Sequence, residues 1–116
     1  MRKLQKIFKA VGDNNRLRIL KMLEVRPLCN CEVQEILGLA ASTVSKHLGL
    51  LRDAGLVEDQ RKGKWVIYRL VDADIGLYGE PILGLIHQWL SDDTQVLQDL
   101  KRVNAMQGKF ACDPGE

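Results

Sequence analysis

Residues 42–51 read Ser-Thr-Val-Ser-Lys-His-Leu-Gly-Leu-Leu, and they constrain the fold more tightly than any other stretch of the chain. Val44, Leu48 and Leu51 recur at i, i+4 and i+7, the spacing of one apolar helix face. Ser42, Thr43, Ser45, Lys46 and His47 fill the remaining positions of the first two turns, and all are short donors or cations. The plain alternative is a solvated surface helix with Ser42 as its N-cap. Such a helix mixes acids with its bases, and here none occurs before Asp53. A helix with an apolar stem and a polar, cationic N-terminal half is suited to reach base edges and phosphates in a DNA groove.

The flanking segments support that placement. Leu4, Ile7, Phe8 and Val11 predict a short amphipathic helix over 4–11, broken by Gly12-Asp13-Asn14. Asp13 or Asn14 caps a second helix over about 14–25, with Leu17, Leu20, Met22 and Leu23 inward and Pro27 ending it. Val33, Ile36 and Leu37 mark a short helix over about 31–37, and Gly38 is the left-handed residue of the turn that follows. The helix of 42–54 then runs to Gly55. Two short helices joined by a glycine-containing turn make a helix-turn-helix.

After Gly55, Leu56-Val57 starts a strand, Arg61-Lys62-Gly63-Lys64 is a basic turn, and Trp65–Leu70 is a second strand rich in β-formers. A hairpin with a cationic tip in this position is a wing. Arg61, Lys62 and Lys64 are placed to meet phosphate or the minor groove, and Tyr68 joins them in the candidate DNA-contacting set. The alternative is a solvated hairpin with a basic turn. The fold class is therefore mainly α with a β-hairpin, a winged helix-turn-helix.

Residues 76–107 continue in a helical pattern. Ile82, Leu85, Ile86, Trp89, Leu90, Val96, Leu97, Leu100 and Val103 offer more apolar surface than a small domain buries alone. A homodimer through the terminal helices would cover it, as expected of proteins that read paired half-sites; intramolecular packing is the alternative. Residues 1–107 read as one DNA-binding and dimerisation domain and 108–116 as a flexible tail. The net charge of +2 hides an asymmetry. Residues 1–41 carry eight Lys/Arg against four Asp/Glu, residues 42–70 six against three, and residues 71–116 three against eight. The basic excess coincides with the proposed DNA face. No apolar run reaches the roughly 20 residues of a membrane helix, and no apolar segment follows the basic Met1-Arg2-Lys3-Leu4, so a cytoplasmic protein is expected.

Cys29, Cys31 and Cys112 are odd in number, which argues against a disulfide framework. Cys29 and Cys31 fall near a predicted helix N-terminus, where amide groups favour thiolate, with Arg26 close in sequence. Metal binding, a redox dithiol and structural packing are the readings this pair permits. Within a regular helix, residues i and i+2 point about 200° apart, so one bound atom would require the first turn to unwind. An enzyme is not indicated: no Gly-rich phosphate loop or HExxH pattern occurs, His47 falls inside the recognition helix, and His87 lies beside Trp89. A protein-interaction module without DNA binding is the other class weighed, and it would lack salt-sensitive DNA affinity.

With these elements placed, the chain resembles the ArsR/SmtB family of metal-responsive bacterial repressors. The matching residues are Phe8–Asp13 with Arg16–Leu20, then Leu28-Cys29-Asn30-Cys31-Glu32-Val33, Ser42–Leu48, Leu51–Val57, and Arg61–Tyr68 in the wing. The resemblance implies a homodimeric winged helix that binds double-stranded operator DNA and releases it on binding metal or metalloid, with no organic cofactor. It also implies that Cys29 and Cys31 form an arsenic- and antimony-type sensor pair. As(III) and Sb(III) are soft and favour three sulfurs, so a third donor is needed: Cys112, a small thiol or a hydroxide. Gln34 stands where the arsenic pattern often has a third cysteine, and no cysteine precedes Cys29. Asp72, Asp74 and His87 do not reproduce the zinc and nickel pattern. A Cd/Pb/Zn-responsive or thiol-redox-responsive repressor on the same scaffold is the alternative.

Overall fold

The computed structural model describes residues 1–71 and 76–106, with the backbone alone at 76 and 77. The elements are α1 (Arg2–Val11), α2 (Asn14–Leu23), β1 (Leu28–Cys29), α3 (Asn30–Leu37), α4 (Ala41–Asp53), β2 (Val57–Lys62), β3 (Trp65–Leu70), α5 (Gly76–Gln88) and α6 (Thr94–Met106).

Asp13 sets the start of α2, its carboxylate accepting the Asn15 and Arg16 amides at 2.9 and 3.2 Å. Gly38 ends α3 in the left-handed region at φ 70° and lets α4 turn back across α3. Val44, Leu48 and Leu51 are buried, as the spacing requires, and join Ile19, Leu20, Met22, Val33 and Leu56 in one aliphatic core. Full burial of a Leu contributes roughly 1.5–3 kcal/mol, so the helix-turn-helix is held chiefly by this cluster.

The hairpin forms, but Arg61 and Lys62, expected in its turn, pair at the end of β2, so Gly63 at φ 60° and Lys64 make the turn; the ladder runs from Val57↔Leu70 to Lys62↔Trp65. The sheet has a third strand that the sequence reading lacks. β1 pairs antiparallel with β3 through Leu28↔Tyr68 and Cys29↔Ile67, giving the order β1-β3-β2. β3 is thus the central strand.

The helical run over 76–107 is broken. Leu90 adopts φ 65° and separates α5 from α6, and Asp93 then caps α6 by accepting the Val96 amide at 3.0 Å. Two buried polar links tie these helices to α2. Lys21 donates from Nζ to the carbonyls of Ile86, His87 and Trp89 at 3.1, 3.2 and 3.0 Å, capping the C-terminus of α5. Arg18 forms a bidentate pair with buried Asp99 of α6 at 2.8 and 3.0 Å, and this partner raises the guanidinium pKa against the opposing effect of burial. Ile86, Val96 and Val103 are buried within the chain, whereas Phe8, Leu85, Trp89 and Leu97 remain exposed. No helix among the described residues is long and apolar enough to cross a membrane.

Candidate nucleic-acid interface and sulfur site

Helix α4 presents Ser42, Thr43, Ser45 and Lys46 to solvent while its apolar stripe is buried. Ser42 is not the N-cap; that position is Ala40, which has no side-chain oxygen, and the first turn carries no acid. The amides of this turn therefore face the surface with neither a capping carboxylate nor a repelling charge, an arrangement suited to phosphate.

Arg61, Lys62 and Lys64 are exposed around the tip of the wing. Lys64 lies over the Trp65 ring with Nζ 5.5 Å from its centroid, a cation–π contact that orients the ammonium group. Arg52, near the C-terminus of α4, pairs with Asp59 of β2 at 2.9 Å and ties the wing to the recognition helix. The same hydrogen bond raises the Arg52 pKa.

Two expected members of this surface are placed otherwise. Tyr68 is buried in the core cluster, because it shares a face of β3 with Val66 and Leu70, which pack against the same core. Burial, with the Asp59 charge nearby, raises its phenol pKa. His47 is only partly exposed, and its Nδ1 accepts from Arg16 Nη1 at 3.0 Å. The position of Arg16 in sequence gave no sign of this role.

The sulfur pair differs from its expected geometry. Cys29 is not in the helix. It closes β1 with φ −82° and ψ 161° and serves as the N-cap of α3. A capping box forms there: the Cys29 side chain receives the Glu32 amide, and Glu32 Oε1 accepts the Cys29 amide at 3.0 Å. Glu32 is fully buried and pairs with Arg26 at 3.0 Å. Arg26 Nη2 in turn lies 3.4 Å from the Val103 carbonyl of α6. Arg26 thus serves Glu32, and the expectation that it activates a thiol is corrected. The expectation of a favoured thiolate is corrected too. Burial raises the Cys29 pKa more than the Glu32 and Cys31 amides lower it, and the Glu32 carboxylate adds to the rise.

Cys31 is half-buried in the first turn of α3, and it is disulfide-bonded. Cys112, Asp72 and Asp74 lie outside the described residues. Among the described residues no group of three or more His, Cys, Asp or Glu could hold a metal. Once Cys31 is reduced, the two sulfurs fit a soft, thiophilic centre in kind but do not complete one in number.

Residues 13–59 match the model of the bacterial regulatory protein, arsR family. The chain is 35% identical over 102 residues to the arsenic resistance transcriptional regulator ArsR1 of Pseudomonas putida, covering 81% of this chain and 77% of that protein. It is 37% identical over 71 residues to a cadmium resistance transcriptional regulatory protein CadC homolog of Staphylococcus aureus, covering 60% of this chain and 59% of that one. Among solved structures, the homodimeric winged helix-turn-helix domain of Mb0332 from Mycobacterium bovis superposes with a TM-score of 0.64 at 26% identity, covering 74% of this chain and 76% of that chain.

Proposed function

Since the chain belongs to the arsR family of bacterial regulatory proteins and is a DNA-binding transcriptional repressor, we propose that As(III) or Sb(III) is its inducer. In this reading the protein works in the cytoplasm as a homodimer. Ser42, Thr43, Ser45 and Lys46 enter the major groove, while Arg61, Lys62 and Lys64 hold the flanking phosphates. The exposed Phe8, Leu85, Trp89 and Leu97 supply apolar surface for the dimer. In the reduced protein Cys29 and Cys31 provide two sulfurs to the metalloid and Cys112 the third.

The observation that carries this reading is the position of Cys29 as the N-cap of α3, a helix packed against the recognition helix α4. A ligand that takes the Cys29 sulfur withdraws it from the Glu32 amide and breaks the capping box. Because Cys29 is extended, the whole first turn need not unwind; loss of the cap suffices to disturb α3 and with it α4. A coupling of about 1–3 kcal/mol, ordinary for allostery, weakens DNA binding roughly 5–150-fold.

The test is anaerobic fluorescence anisotropy of the reduced protein on DNA from its own upstream region, titrated separately with arsenite, cadmium and zinc. Release by arsenite alone, with a Cys29→Ser variant that binds DNA yet ignores arsenite, is the expected result. Full induction of that variant would overturn the assignment. A thiol-redox reading draws on the disulfide at Cys31. It requires instead that mild oxidation release the DNA and dithiothreitol restore binding.

A further inference from the structure

Arg16 reaches two elements other than its own, through each of its three guanidinium nitrogens. Its Nε donates to the Ala10 carbonyl at 2.7 Å and its Nη2 to the Lys9 carbonyl at 3.0 Å, both at the C-terminal end of α1. Its Nη1 donates to His47 Nδ1 at 3.0 Å, on α4. Asp13 stands near the same ring nitrogen, with Oδ2 3.9 Å from Nδ1, while the same carboxylate caps α2. One side chain therefore joins the end of α1, the start of α2 and the middle of the recognition helix.

The chemistry of this contact fixes the role of the ring. A guanidinium only donates, so Nδ1 must present its lone pair and the ring proton sits on Nε2. The His47 side chain is 13% exposed, far less open than Ser42, Thr43, Ser45 and Lys46 on the same helix. We propose that His47 serves DNA binding as a positioning residue: its Nδ1 is the acceptor through which Arg16 locks α4 against the end of α1. The phase of the recognition helix is then set by this lock, and His47 reads no base itself.

The two amide side chains separate this role from a direct DNA contact. Asparagine places its oxygen near the Nδ1 position, whereas glutamine reaches toward the Nε2 position. The full-length His47→Asn and His47→Gln variants are compared with wild type in two measurements. The first is anisotropy on fluorescein-labelled upstream DNA. The second is hydrogen exchange of the α4 amides in the protein alone, which needs no DNA and so stands whether or not the upstream operator is the right target. His47→Asn is expected to keep wild-type affinity and α4 protection. His47→Gln is expected to lose about tenfold in affinity, the worth of one charge-assisted hydrogen bond, and to show faster α4 exchange at an unchanged global unfolding midpoint. The reverse ranking, with Gln active and Asn weak, would show that the ring acts through Nε2 on DNA and overturn the proposal. Equal behaviour of the two variants, whether both intact or both weakened, would equally overturn the acceptor role.

Discussion

Removing the Glu32 carboxylate tests whether the cap that holds Cys29 is as important to the fold as its geometry says. Glu32 has no exposed surface and accepts from the Cys29 amide and from Arg26 Nη2, each at 3.0 Å. In Glu32→Ala both donors lose that acceptor. A buried amide without an acceptor costs about 1–3 kcal/mol, and breaking a buried ion pair by deleting one partner costs about 3–5 kcal/mol. The Arg26 side chain keeps 19% of its exposure and can recover part of its hydration from water. The combined loss is therefore set at about 3–5 kcal/mol, a large part of the roughly 5–15 kcal/mol that stabilises a domain. Glu32→Gln retains an acceptor for the Cys29 amide and loses only the charge, so it should cost less, about 1–3 kcal/mol. The exposed Arg69–Glu58 pair, at 3.4 Å, supplies the control, and Glu58→Ala should cost under about 1 kcal/mol. The assay is urea unfolding with linear extrapolation at one fixed protomer concentration. A Glu32→Ala loss below about 1 kcal/mol, or a Gln variant no more stable than Ala, would refute the reasoning.

Asp13→Ala removes the acceptor of the Asn15 and Arg16 amides and should cost about 0.5–2 kcal/mol in the same urea assay. Burial raises the Cys29 pKa, so in reduced protein near pH 8 Cys29 should alkylate with iodoacetamide more slowly than a peptide thiol, with the site read by mass spectrometry. The linkage sign follows. Below the ordinary thiol pKa of about 8.5 both states hold the proton, and this thiol imposes no penalty. Above it the unfolded chain ionises first, and stability falls with pH until the folded thiol ionises too. Cys29→Ser should lack that component of the decline in alkaline urea titrations. In the wing, Lys62→Ala and Lys64→Ala should each weaken DNA binding uniformly across sequences and reduce the slope of log K against log salt by about one.

Local order was legible wherever neighbours in sequence decide it. The apolar spacing of Val44, Leu48 and Leu51 placed α4, the Asp13-Asn14 pair placed the start of α2, and the glycines at 38 and 63 fell in two turns with positive φ. What escaped is what distant contacts impose. β1 is two residues long and exists only because β3 pairs with it. That pairing makes β3 central and holds Cys29 extended and buried, while Tyr68 is drawn into the core on the face it shares with Val66 and Leu70. A cysteine ahead of a helix reads as an activated thiol when only the nearby amides are considered; the surrounding core reverses the sign. Leu90 breaks the last helical segment at φ 65° with no glycine or proline to announce it.

The Arg16–His47 contact spans 31 positions, and periodicity reveals only that Arg16 lies off the apolar face. These misses share a direction. A recognition surface is exposed and local, so composition exposes it. The parts proposed to set its angle and its response are partly buried polar links: Arg16 with His47, Arg26 with Glu32, and Arg18 with Asp99. Each joins residues that no single helix brings together. A repressor that must bind DNA in one state and release it in another needs such links, because apolar packing alone has no directional partner to lose. The Cys29–Glu32 cap adjoins the Arg26–Glu32 link and carries a soft ligand atom, which is why it is proposed as the point where an inducer acts on α3 and, through it, on α4.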